Sequence, residues 1–123
     1  MLSLEKLTIS IYTRSLLLED DEIRSLVGEK IFPSVAPENT LSPFIIYERD
    51  AYATEDTKFG ISKEEARVTF EISSDDYDKG LQIAVAMHRT LQGNHDGLYF
   101  EIVDSAERYK EGKFIQFIEF KIT

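Results

Sequence analysis

The chain has 123 residues, 42% hydrophobic and 30% charged, with a formal charge of −9 and no cysteine. That size and balance suit a single soluble domain, residues 1–123, with one core. They exclude disulfide staples, zinc–thiolate centres and cysteine nucleophiles, and they argue against gripping nucleic acid or anionic lipid through a basic surface.

Glu5, Lys6, Arg14 and the run Glu19-Asp20-Asp21-Glu22 interrupt the apolar residues of the N-terminal part, so neither a signal peptide nor a membrane span is expected. Leu4, Leu7, Ile11 and Leu18 form one helical stripe, with Ile9, Tyr12 and Leu16 beside it and Ser3 as a possible cap. The acidic run then starts a second, short helix near Asp20 or Asp21, which ends at Gly28. Ile31-Phe32-Pro33 is a short extended piece. Residues 34–42 form a loop stiffened by Pro33, Pro37 and Pro43.

The next strand starts at Pro43. Phe44, Ile45, Ile46 and Tyr47 are continuously apolar, so the start of this strand is expected to be covered on both faces. Residues 54–65 are polar and read as a long loop between two antiparallel strands. Ala66, Val68, Phe70 and Ile72 then alternate with Arg67, Thr69 and Glu71, which is the period of a half-buried strand. Ser73-Ser74-Asp75-Asp76 is a helix-start signal. The helix after it is expected to bury Tyr77, Leu81, Ala84, Val85, His88 and Leu91. Residues 92–97, with two glycines and an asparagine, end it. A strand follows from Leu98 to Val103, then a turn at residues 109–113 and a last strand from Phe114 to Thr123. The order α-α-β-β-α-β-β predicts an α+β fold: a mainly antiparallel four-stranded sheet with helices on one face.

Residues with catalytic patterning are not found. The six glycines never fall in a phosphate-loop or dinucleotide spacing, and there is neither a His-Glu-x-x-His nor a Gly-x-Ser-x-Gly. His88 reads as a partly buried helix residue and His95 as a loop-surface residue. The stretch Asp75-Asp76-Tyr77-Asp78-Lys79-Gly80 fails as a calcium loop because Tyr77 and Lys79 occupy ligand positions and Ala86 stands where the bidentate glutamate belongs. No catalytic residue, cofactor or metal is therefore assigned. What stands out is apolar residues on the wrong parity. Tyr99, Val103, Ile115 and Phe117 lie opposite Phe100 and Phe120 within their own strands, which points to a subunit interface.

Three pieces carry a resemblance. The first is Tyr12 … Leu16 … Ile23 … Leu26-Val27-Gly28 … Ile31-Phe32-Pro33. The second is Pro43-Phe44-Ile45-Ile46-Tyr47. The third is the strand from Val68 to Ile72 followed by Ser74 … Tyr77 … Leu81 … Ala84 … Leu91. In this order the chain resembles the small tail-completion proteins of tailed bacteriophages, the head–tail joining and tail-terminator group. Residues 104–113 match that pattern least.

The resemblance implies a non-enzymatic structural protein that forms a homo-oligomeric ring, hexameric when assembled, at the head-proximal end of the tail. Its implied partners are the tail-tube and head-connector proteins. DNA passes through the ring without specific binding, no membrane is involved, and the location is the virion or the host bacterial cytoplasm during assembly. An acidic subunit suits that conduit, since basic walls would hold phosphates. The candidate partner surfaces are Glu55, Asp56, Lys58 and Phe59 of the charged loop, Arg67 and Glu71 on the polar strand face, and Tyr99, Val103, Ile115 and Phe117. The competing reading is a small bacterial α+β interaction or regulatory module; a small enzyme or ligand-binding domain is the third.

Overall fold

Period-two stretches dominate the second half of the chain, and in the computed structural model they build one mixed sheet. The structure describes residues 6–123, apart from the side chains of residues 56, 57 and 61–63. Ser3 and Leu4, read above as cap and stripe of the first helix, lie outside the described residues. The elements in order are α1 (Ile9–Glu19), α2 (Asp21–Val27), β1 (Ile31–Pro33), β2 (Phe44–Thr57), β3 (Gly60–Ser74), α3 (Tyr77–Leu91), β4 (Gly93–His95), β5 (Leu98–Lys110) and β6 (Lys113–Ile122). The strands lie in the order β1-β2-β3-β6-β5-β4. β1 pairs parallel with β2, and every other pairing is antiparallel.

The α+β class and the helix-covered face are as expected, but the sheet has six strands rather than four and is mixed rather than antiparallel throughout. The two additions are three-residue strands at the edges, β1 and β4, too short to carry a period. The expected loop at residues 54–65 is also corrected: β2 and β3 stay paired as far as Thr57 and Gly60.

In β3 the residues Ala66, Val68, Phe70 and Ile72 are fully buried, and in register beside them β6 contributes Ile122, Phe120, Ile118 and Gln116. Phe70 and Phe120 meet edge to face at 6.0 Å, a favoured aromatic geometry. Ile45 and Tyr47 of β2, Ile31 of β1 and Phe100 of β5 widen this layer.

The helices close it from one side, with their faces turned relative to expectation. α1 buries Ile9, Thr13 and Leu17, while Ile11 is 69% exposed and Leu7 40%. α3 buries Gly80, Ile83, Ala86, Met87 and Leu91; Leu81 and Ala84 are half-buried, Tyr77 and His88 are exposed, and Val85 is 62% exposed. Both helices carry apolar residues around more than one face, so the 3.6-residue period admits several stripes. The sheet selects the one that fits its row of phenylalanines.

The caps of α2 and of the start of α3 are those the sequence specifies. Asp20 accepts a hydrogen bond from the Ile23 N–H, and Gly28, at φ 64°, closes α2 by donating to the Arg24 carbonyl. Ser74 Oγ accepts from the Asp76 N–H, and Asp76 accepts from the Asp78 N–H at the start of α3. Two hairpins turn on two-residue loops with both residues at positive φ: Asp96-Gly97 between β4 and β5, and Glu111-Gly112 between β5 and β6. An acidic residue followed by glycine suits that turn because its hand matches the strand twist.

Candidate assembly surfaces

β6 stops pairing with β3 at Ala66↔Ile122, yet β2 and β3 run on together for five further pairs, from Ala53↔Glu65 to Thr57↔Gly60. The result is a two-stranded arm about 15–20 Å long at the usual strand rise. Its composition explains why it read as a loop. Backbone pairing holds it, and apart from buried Glu64 and half-buried Glu65 at its root its described side chains are exposed, so no apolar alternation marks it. Glu55 is exposed on the arm and stands in register with Lys63. Asp56 lies in the same strand, its side chain outside the described residues. Lys58 and Phe59 form the tip; Phe59 is 88% exposed, with Lys58 Nζ 5.2 Å from the centre of its ring.

The root of the arm is anchored. Glu64 is buried there, accepting a 2.6 Å hydrogen bond from the Tyr52 hydroxyl, and the buried ammonium of Lys6 lies 3.9 Å away. Arg49 Nη1 donates to the Leu7 carbonyl at 3.1 Å. The N-terminal segment is thereby tied to β3 at the root of the arm and to β2 before the arm begins.

A second surface is the sheet face without helices. Alternation puts Arg67, Thr69 and Glu71 of β3 there, with Ile115, Phe117, Glu119 and Lys121 of β6. Arg67, Glu71, Ile115 and Phe117 thus share one face. Tyr99, 41% exposed, lies at the far end of the same face, where its backbone exchanges two hydrogen bonds with Thr123. Val103 is the extra residue of a bulge between Ile102 and Asp104.

The sequence reading missed the other half of this surface. Phe44 and Ile46 do not enter a second core: they lie on the helix-free face with Phe32, half-buried, while Ile45 and Tyr47 face inward. The expected two-sided cover of this run is absent among the described residues. Phe32 and Phe44 sit 6.5 Å apart, and Arg108 stacks over Phe117 at 5.4 Å. The signal for these residues was the continuous apolar run itself.

Next to this apolar strip the face is acidic. Burial raises the Glu119 carboxyl above the usual range, and nearby Asp50 and Asp104 push the same way against Arg67. Arg67 pairs with Glu65 at 3.0 Å and approaches Glu119 at 3.9 Å. Asp50, like Val103, sits at a bulge, here between Arg49 and Ala51. Both bulges re-aim the chain.

A third feature is a groove of about 470 Å³ between α1 and the β4–β5 turn, lined by Ile11, Tyr12, Asp96 and Leu98 among others. The Tyr12 hydroxyl donates to Asp96 at 2.7 Å. Burial and that bond push the Tyr12 phenol up to about 12. His95 is half-buried rather than on the loop surface, contacting the Leu91 carbonyl at 2.9 Å and meeting Phe100 edge-on, a structural role at the end of α3. His88 is exposed rather than partly buried. Among the described residues no cluster of three metal-ligating side chains occurs, and no helix is long and apolar enough to cross a membrane. These surfaces offer shape, apolar area and charge for macromolecular contact.

Comparison with known proteins agrees in kind. The sequence model of the family "Tail completion protein gp17" matches residues 12–113, and the chain belongs to that family. It is a structural protein of a phage tail. Among solved structures, a chain from "Virion of native gene transfer agent (GTA) particle" is similar in fold, with a TM-score of 0.76 over 89% of both chains at 15% identity. No curated protein sequence gives a significant match.

Proposed function

We propose that the protein works as a homo-oligomeric ring, hexameric when assembled, at the head-proximal end of the tail. There it ends growth of the tail tube and joins the tube to the head connector, with DNA passing through the centre. Each subunit acts as a single α+β domain, residues 1–123, and no residue has a catalytic step, cofactor or metal to serve. The protein works in the virion, and in the host bacterial cytoplasm while assembly proceeds.

One observation supports this reading above the rest: the half-buried strip of Phe32, Phe44, Ile46, Ile115 and Phe117 on the helix-free face. Contiguous apolar area of this kind is rarely left open to water in a protein that works alone. Glu71 and Arg67 border the strip in β3 and would set its register against a partner. Tyr99 and Val103 extend the contact, while Glu55, Asp56, Lys58 and Phe59 reach beyond the sheet on the arm. The charge of −9 fits a passage that must not retain phosphates.

The test is tail assembly with and without the protein. In its absence tubes should grow to irregular length and fail to join heads, and adding purified protein back should restore both. Tails of normal length that join heads without it would remove the reading.

A further inference from the structure

The arm and the groove stand at the same end of the sheet but on opposite flanks. The arm leaves where Ala66 pairs with Ile122, and the Asp96-Gly97 turn precedes Phe100, which pairs with Ile122 from the other side. Strand spacing puts the two roughly 14 Å apart across the sheet. No arm-tip residue lines the groove of its own chain.

The two are complementary. The tip presents a phenyl ring, 88% exposed, with an ammonium stacked beside it. The groove presents apolar area from Ile11, 69% exposed, and from Leu98, with the Asp96 carboxylate among its lining. A donor on one flank and an acceptor on the other make a head-to-tail contact, which closes into a ring when the rotation per subunit divides the circle.

We propose that the arm tip of one copy docks in this groove of the next copy, with Phe59 against Ile11 and Leu98 and Lys58 on Asp96. This rests on the ring reading above and names the contact that closes the ring. Phe59 is the anchor, because a ring leaving water is worth a large share of a subunit contact. Lys58 sets the register and gives the contact its salt dependence.

The chain has no cysteine, so introduced thiols are unique. Oligomers, from solution or from tails, are prepared with equal amounts of Phe59→Cys and Ile11→Cys chains and oxidised. Disulfide-linked dimers are counted against a control pairing Phe59→Cys with Val85→Cys, another exposed apolar site. The 59–11 pair should exceed the control by at least about tenfold, and the double variant should give a ladder of covalent oligomers. Phe59→Ala should weaken self-association by about tenfold or more from lost burial alone, with Phe59→Tyr close to wild type. Reversing charge with Lys58→Asp should weaken it, and adding Asp96→Lys should recover it. Circular dichroism of each variant separates loss of contact from loss of fold. Equal yields for the two pairs, or a double variant linked only within one chain, overturn the contact and leave the ring in place. Absence of any oligomer, in solution and on tails, removes the ring reading and this contact with it.

Discussion

Glu119 sits on the sheet face where a partner is expected, and its protonation reports the cost of placing it there. Burial comes first among the causes that raise its carboxyl, ahead of Asp50 and Asp104. A raised value means that the folded chain holds this proton more tightly than the unfolded chain. Glu119 therefore costs stability at neutral pH, and the cost is relieved as pH falls into the window just above the ordinary glutamate value of about 4.3. Glu119→Gln should be more stable than wild type in denaturant near neutrality, with the difference shrinking on acidification through that window. A difference independent of pH would sink this assignment. Gly80 makes a second residue-scale case. It lies in the first turns of α3 with ordinary helical φ, and a Cβ there would meet Ser74 Cβ at 3.6 Å and Gln116 Cγ at 3.8 Å, ordinary contact distances. Gly80→Ala should therefore gain about 0.5–1 kcal/mol from reduced freedom of the unfolded chain. A loss in urea melts would show that α3 packs closer to the sheet than described.

The arm is the element whose role is most open to test. It projects beyond the sheet and is secured at its root by Tyr52, Glu64 and Lys6. Replacing residues 55–63 by a two-residue Asn-Gly turn, which closes on the Thr54↔Glu64 pair, should keep that root and the fold while impairing ring formation or head joining. Native mass and tail-joining yield check this; unchanged values in both would remove the arm from assembly. Elements differ in how far they could be read from sequence, and the reason is packing. β3 and β6 were legible because one face of each is buried and the other is not. β4 was not, because three residues are less than two periods; β1 was legible as the extended piece Ile31–Pro33, but not its pairing into the sheet. The arm, polar and mostly exposed among its described side chains, had no hydrophobic pattern to give it away. For the helices the existence, the caps that start α2 and α3 and the Gly28 stop were local chemistry and came through. Their buried faces depended on the sheet and came out turned. Of the partner surface, Ile115 and Phe117 were visible as apolar residues on the wrong parity. Phe44 and Ile46 were hidden in a run that looked covered on both sides.

For the whole molecule, a mixed sheet with helices on one face leaves the other face, one arm and one flank groove for the proposed contacts with further subunits. A mainly acidic surface keeps those contacts away from phosphates. Self-association through the arm tip should weaken as salt rises, because Lys58 and Asp96 lie near solvent, while contact through the apolar strip should hold. The most direct measurement is electron microscopy of isolated tails carrying a tag on this chain. One closed ring of labelled subunits, confined to the head-proximal end of the tube, is the expected image. Label spread along the tube, or absent from finished tails, would contradict a protein that completes the tail by closing a ring upon it.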